Sequence, residues 1–316
     1  GDMRGPILIA GGTGLLGRAL AQRLAEAGRE VVLLSRSPAR VAGSPELPLG
    51  CRLAAWDGRT ADGWGSLASG AAAIVNLAGE SIAAGRWSRQ RKARIVSSRQ
   101  EAAAAVLAAI AQAPKPPAVL VQASAIGYYG DRADELLPES AASGEGFLAT
   151  TTREWEAASA DCARFGVRRA VARTGIVLAR EGGALPKMLL PFRLGAGAIL
   201  GSGKQWMSWI HVADESAALA FLIDEPTAAG VFNLAAPEPA TQAGFSRALA
   251  EALHRPLLAR APAWVLRAAM GEMSDLVLAS QRVVPQRLLE MGFRFQFPHL
   301  DTALADLCRG EAAAHP

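Results

Sequence analysis

Apolar residues in this chain come in short unbroken runs that alternate with longer stretches where they recur at three- and four-residue spacing, as buried strands alternating with helices would give. Ile7-Leu8-Ile9-Ala10 stops at Gly11-Gly12-Thr13-Gly14-Leu15-Leu16-Gly17, opens into a helical pattern, and returns as Val31-Val32-Leu33-Leu34, which stops at Ser35-Arg36. A third run, Cys51 to Trp56, ends at Asp57, and a fourth, Ala72 to Ala78, ends in Gly79-Glu80. A long helix is predicted from Ser88 to Gln112, ended by Pro114, Pro116 and Pro117. Ala118 to Ala123 reads as a fifth strand ending at Ser124, and Val167 to Leu178 contains a sixth. The pattern predicts an α/β chain: a doubly wound parallel sheet with helices on both faces, its ligand-binding loops gathered at the carboxyl ends of the strands.

From about Pro237 the pattern changes to three or four helices around a short strand. Phe293, Phe295 and Phe297 alternate with Arg294 and Gln296, a strand with one apolar face that Pro298 stops, before Leu300, Leu304 and Leu307 resume helical spacing. Exposed, these phenylalanines would form a partner surface; core packing is the expectation. Residues 3–180 with about 205–235 are expected to form the sheet domain. Residues 181–204 and 236–309 would form a smaller C-terminal α+β substrate lobe, and 310–316 a frayed tail. Neither internal repeats nor a low-complexity linker separates the two.

The glycines carry chemistry. Gly11, Gly14 and Gly17 let the backbone turn sharply, approach a pyrophosphate and pack helix on strand, while free N–H groups at the helix start face phosphate charge. The second strand ends where a dinucleotide site reads the ribose, and an acid there would accept bonds from the 2′-OH of NAD. This chain has Arg36, with Ser35 before it and Arg40 behind. A guanidinium suits a 2′-phosphate, so NADP(H) is favoured over NAD(H). The plainer reading of Arg36 is a solvated loop residue.

A length of 316 residues suits one large α/β unit with an appended lobe, and 51% hydrophobic residues supply ample core. Acids and bases are interspersed and the net charge is only +4, so no nucleic-acid stripe is evident. The densest basic stretch, Arg86, Arg89, Arg91, Lys92 and Arg94, is either a solvated helix face or a neighbour of an anionic ligand. Cys51, Cys162 and Cys308 are scattered, which fits a reducing compartment without disulfides or a zinc site. His211, His254, His299 and His315 suggest no metal constellation. The small-residue run from Ala102 to Ala111 is too short to span a bilayer and no basic, apolar leader opens the chain, so a cytoplasmic location is expected, with no membrane partner. Gly1, before Asp2 and Met3, is not expected to belong to the fold.

Gly11 to Gly17, Asn76-Leu77-Ala78-Gly79, Ser124 with Tyr129-Gly130, Gly201-Ser202-Gly203-Lys204-Gln205 and Trp209 to Asp214 occur in an order that resembles the extended short-chain dehydrogenases/reductases. Arg86-Trp87, Trp155-Glu156, and the tail from Gly271-Glu272-Met273 through Gln281-Arg282-Val283 to Gly292-Phe293-Arg294 narrow the resemblance to the atypical, NAD-dependent epimerase/dehydratase-like "epimerase family protein" group. That resemblance implies an NADP(H)-binding Rossmann domain with a smaller substrate lobe. It implies pyrophosphate contacts at Gly11, Thr13, Gly14, Leu15, Leu16 and Gly17, and the 2′-phosphate end at Ser35 and Arg36. Asp57 would lie beside adenine, Leu77, Ala78, Gly79 and Glu80 under the ribose, and Thr174 and Gly175 facing nicotinamide. By the same analogy, pairing through the Ser88 to Gln112 helix would give a homodimer.

Active members of the wider family use a tyrosine and a lysine four residues later, the lysine easing proton exchange at the tyrosine. Aligned on Glu156, those positions fall near Leu148 and Thr152, and no Tyr-x-x-x-Lys occurs in a sequence whose only tyrosines are Tyr128 and Tyr129. Ser124 stands at the carbonyl-binding position, although Ala125 aligns there equally. Tyr128 is the first candidate for a replacement proton donor, against a role in packing under the lobe. On the substrate side, Lys187 would meet an anionic group or simply lie at the surface. Gly201, Gly203, Trp206 and Trp209 suit a flat ligand, with core packing between the lobes the favoured reading for Trp209. His211 reads as a structural hydrogen bonder or a base.

Three functions fit: an NADP(H)-dependent oxidoreductase or epimerase acting on a small carbonyl or sugar-like substrate through an altered proton relay, a non-catalytic NADP(H) sensor or regulator, and a scaffold that merely keeps the fold. The intact glycines and Arg36 argue against the last.

Overall fold

The computed structural model describes residues 4–43 and 47–311, so Met3 and most of the expected tail lie outside the described residues. Seven strands form one sheet in the order Gly230–Leu234, Arg168–Thr174, Val119–Ala125, Ala73–Asn76, Ile7–Ala10, Val31–Ser35, Cys51–Ala55. Every pairing in it is parallel; Ile7 stands opposite both Val31 and Ala73. Chain order reverses on either side of Ile7–Ala10, which makes the end of that strand the crevice where a doubly wound sheet takes its ligand.

The unbroken apolar runs follow from burial on both faces. Ile7 and Ile9 join the core beneath helices Leu15–Glu26 and Val212–Asp224, whereas Leu8 and Ala10 join the opposite core with Trp64, Val106 and Ile110 from beside and along helix Arg89–Gln112. Ser88 caps that long helix, its Oγ accepting from the Arg91 N–H at 3.0 Å. A third cluster packs Leu185, Leu189 and Phe192 with Trp209, Phe245, Leu249, Leu304 and Leu307.

Three elements differ from the expected pattern, each because of a specific contact. The fourth strand stops at Asn76, because the Asn76 side-chain oxygen accepts from the Ala78 N–H at 3.2 Å and turns the chain. The sixth apolar run is two strands: Arg168–Thr174 stays in the sheet, while Ile176–Leu178 pairs with Trp209–His211. Gly175 makes the transition, and a Cβ there would lie 2.7 Å from the Ser208 carbonyl oxygen. The expected strand at Phe293 to Phe297 does not form. The Gln296 and Phe297 N–H groups donate to the two oxygens of Asp214 at 2.7 and 2.9 Å, so they are withdrawn from any ladder. The alternating rings still pack inward, Phe293 edge-on to Phe221 and Phe295, and Phe297 stacked on His211.

Candidate functional site

At the end of Ile7–Ala10 the backbone runs too close to its neighbours to carry side chains. A Cβ on Gly11, whose φ is +73°, would lie 2.8 Å from the Leu77 carbonyl carbon, and one on Gly17 would lie 2.5 Å from the Gly12 Cα. At Gly14 the nearest atom to such a Cβ is 3.5 Å away, which leaves room for a ligand to approach the N-terminus of helix Leu15–Glu26. No side chain caps that terminus and its first turn holds no acid, so its N–H groups and positive dipole end remain available to an anion.

Two adjoining cavities open there. The larger, about 620 Å³, is lined by Gly11, Thr13, Gly14, Ser35, Arg36, Asp57 and the Leu77 to Glu80 turn. The smaller, about 430 Å³, shares Thr13, Ser35 and Arg36 and adds Arg18, Ser37 and Arg40. Three guanidinium side chains and three hydroxyls therefore surround one space at the end of the second strand. Leu15, Leu16 and Gly17 shape the helix entry without lining either cavity.

The walls are fixed from outside. Asp57 accepts from the Arg59 N–H, the Thr60 hydroxyl and the Thr60 N–H, and these bonds pull its carboxyl down to about 2. It is an ionised residue that shapes its own turn. The Glu80 N–H donates to Ser98 Oγ at 3.1 Å, and Arg99 donates to the Glu80 carbonyl at 2.9 Å. Arg99 lies over Trp155, 4.6 Å from its ring centroid, and burial lowers its pKa to about 10. A Cβ on Gly79 would touch the Arg99 guanidinium at 3.0 Å.

At the end of the fifth strand, buried Ser124 donates its hydroxyl hydrogen to Glu156 Oε2 at 2.5 Å. Glu156 is gripped by Arg173 through Nε at 2.8 Å and Nη2 at 2.9 Å. Burial works against charge on Arg173, but its bonds to Glu156 and Tyr129 outweigh that and raise its pKa. Its Nη1 donates to the Tyr129 hydroxyl at 3.1 Å, and that hydroxyl donates to Asn233 Oδ1 at 2.7 Å. Burial pushes the Tyr129 phenol up, so it stays neutral. Tyr128 differs: its half-buried ring lies 3.4 Å under the Arg173 guanidinium, and its hydroxyl has no hydrogen-bond partner among the described residues. Ser124, its one hydrogen given to Glu156, can meet a ligand only as an acceptor. The positions expected for the family's tyrosine and lysine, Leu148 and Thr152, lie under Gly127, and the Thr152 hydroxyl donates to the Leu148 carbonyl.

Ser124 and Tyr128 line neither cavity, and other expected residues also lie apart from them. Thr174 donates to Glu215 Oε1 at 2.6 Å, away from both cavities, and burial pushes the Glu215 carboxyl up to about 8. Gly175 sits at the strand break. His211 caps helix Val212–Asp224: its Nδ1 accepts from the Ala213 N–H at 2.9 Å, which leaves Nε2–H to donate to Asp306 at 2.9 Å. Both ring nitrogens are occupied, so the structural reading fits this geometry and a base does not. Trp206 donates to Asp134 at 2.9 Å, Lys187 is exposed on helix Ala184–Arg193, and Trp209 is fully buried in the lobe core.

A model of the NAD dependent epimerase/dehydratase family matches residues 7–235, and one of a domain of unknown function (DUF1731) matches residues 261–307. The chain belongs to the NAD dependent epimerase/dehydratase family. Within that family it is 38% identical over 306 residues to epimerase family protein SDR39U1 of Bos taurus, covering 95% of this chain and 99% of that one. It is 36% identical over 311 residues to epimerase family protein YfhF of Bacillus subtilis, covering 95% of this chain and 97% of that one. The crystal structure of human epimerase family protein SDR39U1 (isoform 2) with NADPH matches with a TM-score of 0.84 at 34% identity, over 96% of this chain and 99% of that one. UDP-glucose 4-epimerase of Thermus thermophilus, in complex with NAD, shares the fold, with a TM-score of 0.73 at 18% identity over 96% and 99% of the two chains. The chain is thus an atypical short-chain dehydrogenase/reductase, an NAD(P)-binding protein of the epimerase family. Among the described residues, no helix is long and apolar enough to cross a membrane, and no cluster of three or more His, Cys, Asp or Glu side chains is placed to hold a metal.

Proposed function

We propose that this protein is an NADP(H)-dependent oxidoreductase or epimerase acting on a small carbonyl or sugar-like substrate, with Tyr128 and Ser124 working in place of the Tyr-x-x-x-Lys pair. The observation that carries the cofactor choice is the convergence of Arg18, Arg36 and Arg40, with Thr13, Ser35 and Ser37, on one cavity beyond the second strand. Their fork-shaped donors match a phosphate monoester, for which the 2′-hydroxyl of NAD is no substitute. The residues present fit the dinucleotide: the glycine turn has the space a side chain would fill, and the uncapped helix start supplies N–H donors for the pyrophosphate. The relative solved with NADPH supports the same choice.

When bound, NADPH would supply hydride to a carbonyl carbon. Tyr128 Oη–H would give the matching proton to the oxygen, while Arg173, held by Glu156, keeps the Tyr128 ring in place from above. Ser124 Oγ would accept a hydrogen bond from a neighbouring substrate hydroxyl. A sensor without turnover is the second reading, favoured by Leu148 and Thr152 standing where the proton-exchanging pair would be.

Titration of NADPH and NADH, followed by a carbonyl panel read at the nicotinamide absorbance, tests both readings. Tight NADPH binding with oxidation by any panel member supports the enzyme. Tight binding without turnover across the panel supports the sensor, and equal affinity for the two cofactors removes the NADP(H) assignment.

A further inference from the structure

Residues 259–281 leave the lobe and return to it. Ala259–Ala261 pairs in parallel with Ala198–Leu200, the Gly201 N–H donates to the Ala261 carbonyl at 2.7 Å, and Arg260 donates to the Gly201 and Ser202 carbonyls. On the way back, Gln205 Nε2 donates to the Val277 carbonyl at 3.0 Å, Ser280 N–H to Asp131 at 3.0 Å, and Gln281 Nε2 to the Gly130 carbonyl at 3.1 Å. Both ends of the excursion are therefore pinned at the Gly201 to Gln205 turn and the Gly130 to Asp131 turn.

Its far point touches a different part of the molecule. Glu272 pairs with Lys92 at 2.6 Å, and a Cβ on Gly271 would lie 3.1 Å from Arg86 Nη2. Arg86 and Lys92 flank the start of helix Arg89–Gln112, just after the loop that follows the fourth strand. The base of the arm bonds to Trp206 and Ser208, next to the strand Trp209–His211 that pairs with Ile176–Leu178 just beyond the strand Arg168–Thr174. That strand and Ala73–Asn76 are the two neighbours of Val119–Ala125. The arm thus reaches from the Gly130 to Asp131 turn, which directly follows Tyr128 and Tyr129, to the start of helix Arg89–Gln112.

The arm is weakly held. Helix Ala263–Met270 has no buried residue; Ala263, Leu266 and Met270 share a half-buried face, while Trp264 is 71% exposed. The Lys92–Glu272 pair is solvated on its acidic side, and pairs of that kind contribute little. Gly271, with φ of +62°, ends the helix in a conformation that other residues adopt at a cost. Few buried apolar contacts on an element tied down at both ends of its base mark a unit that opens without the rest of the fold.

We propose that residues 263–274 are a gate over the reactive end of the cleft, latched to the nucleotide-binding domain by Lys92–Glu272 and the Arg86–Gly271 contact. This assigns a role to the start of the 261–307 segment and rests on the reading of that cleft as the reactive end of an NADP(H) site. The gate shuts bulk water from Tyr128 when the latch is made and admits substrate when it parts.

Two readouts on the full chain test it. Hydrogen–deuterium exchange without any ligand reads the motion, and acrylamide quenching of bound NADPH fluorescence reads access to the cleft. Amides of Ala263–Met270 are expected to exchange as one unit, at least about tenfold faster than those of the buried helix Gln242–Leu253. Glu272→Lys, which sets like charges against Lys92 and Arg86, should speed that exchange further and raise quenching several-fold. Carbodiimide coupling of the Lys92 amine to the Glu272 carboxylate, forming an amide as the carbodiimide takes up water to become its urea, should lower both. Exchange that matches Gln242–Leu253, or that ignores Glu272→Lys, overturns the gate. Quenching that stays constant while exchange changes also overturns it, because the arm would then move without covering the cleft. Failure to bind NADPH at all overturns the cofactor reading, and the exchange measurements still decide the motion.

Discussion

Glu156 and Arg173 meet through two parallel hydrogen bonds in a region where their side chains are only 11% and 5% exposed. Seventeen residues apart in sequence, they lock the end of the sixth strand to helix Phe147–Ala158 and spend the hydrogen of Ser124. Removing one partner leaves the other charge buried and alone. Glu156→Gln should therefore cost about 3–5 kcal/mol of stability, read as a fall in the urea midpoint. A loss below about 1 kcal/mol would mean that water reaches the pair and that the burial argument fails.

The two tyrosines should separate cleanly. Tyr128→Phe removes a hydroxyl with no hydrogen-bond partner among the described residues, so stability and NADPH affinity should hold while turnover falls by roughly 10²–10⁴. Tyr129→Phe instead strips buried bonds to Asn233 and Arg173 and should cost about 1–3 kcal/mol of stability. Turnover by Tyr128→Phe at the wild-type rate would remove the phenol from the mechanism.

Arg36→Ala and Arg18→Ala should each weaken NADPH by about ten- to a hundredfold, the worth of a charge-assisted bond to phosphate, and should weaken NADH far less. Fluorescence titration of both cofactors against both variants decides the matter. Parallel losses for NADPH and NADH would refute the placement of the 2′-phosphate.

Glu215 should make stability fall as the solution becomes alkaline. Its carboxyl titrates near 8 in the fold against an ordinary value of 4.5, because burial disfavours the ion. The folded protein thus holds a proton that the unfolded chain releases. This contribution is complete below pH 4.5 and is lost as pH rises through 8, with a total on the order of 4–5 kcal/mol. Glu215→Gln keeps an acceptor for Thr174 and carries no charge, so its urea midpoint should change less between pH 5 and 9. Identical pH profiles for wild type and variant would show that Glu215 ionises freely.

The glycine turn was legible because it is a local constraint: where a backbone must pass within 3 Å of another, only glycine fits, whatever lies elsewhere. Arg36 was legible for a related reason, since the end of the second strand fixes its address. Arg18 left a readable trace just outside the glycine motif. It lies one turn into the helix, its Nε reaching back toward the Gly14 carbonyl, as helical side chains lean toward the N-terminus. The glycine at 175, inside an apolar run, likewise signalled the broken strand. Ser98, Arg99 and Glu156 could not be found this way, because their roles exist only once helices from distant parts of the chain pack against the sheet. The Phe293 to Phe297 alternation misled for the same reason. Its periodicity describes which way the rings point, whereas Asp214, about eighty residues earlier, decides where the N–H groups bond.

The break at Gly175 has a mechanical result. One unbroken backbone serves the large sheet as far as Thr174 and, one residue later, becomes the strand on which Trp209–His211 is laid. The joint is a splice between two pieces of sheet, and the Ser208 carbonyl leaves no clearance in it for a side chain. Two pieces of sheet in this way share one backbone, and any side chain added at position 175 would have to force them apart.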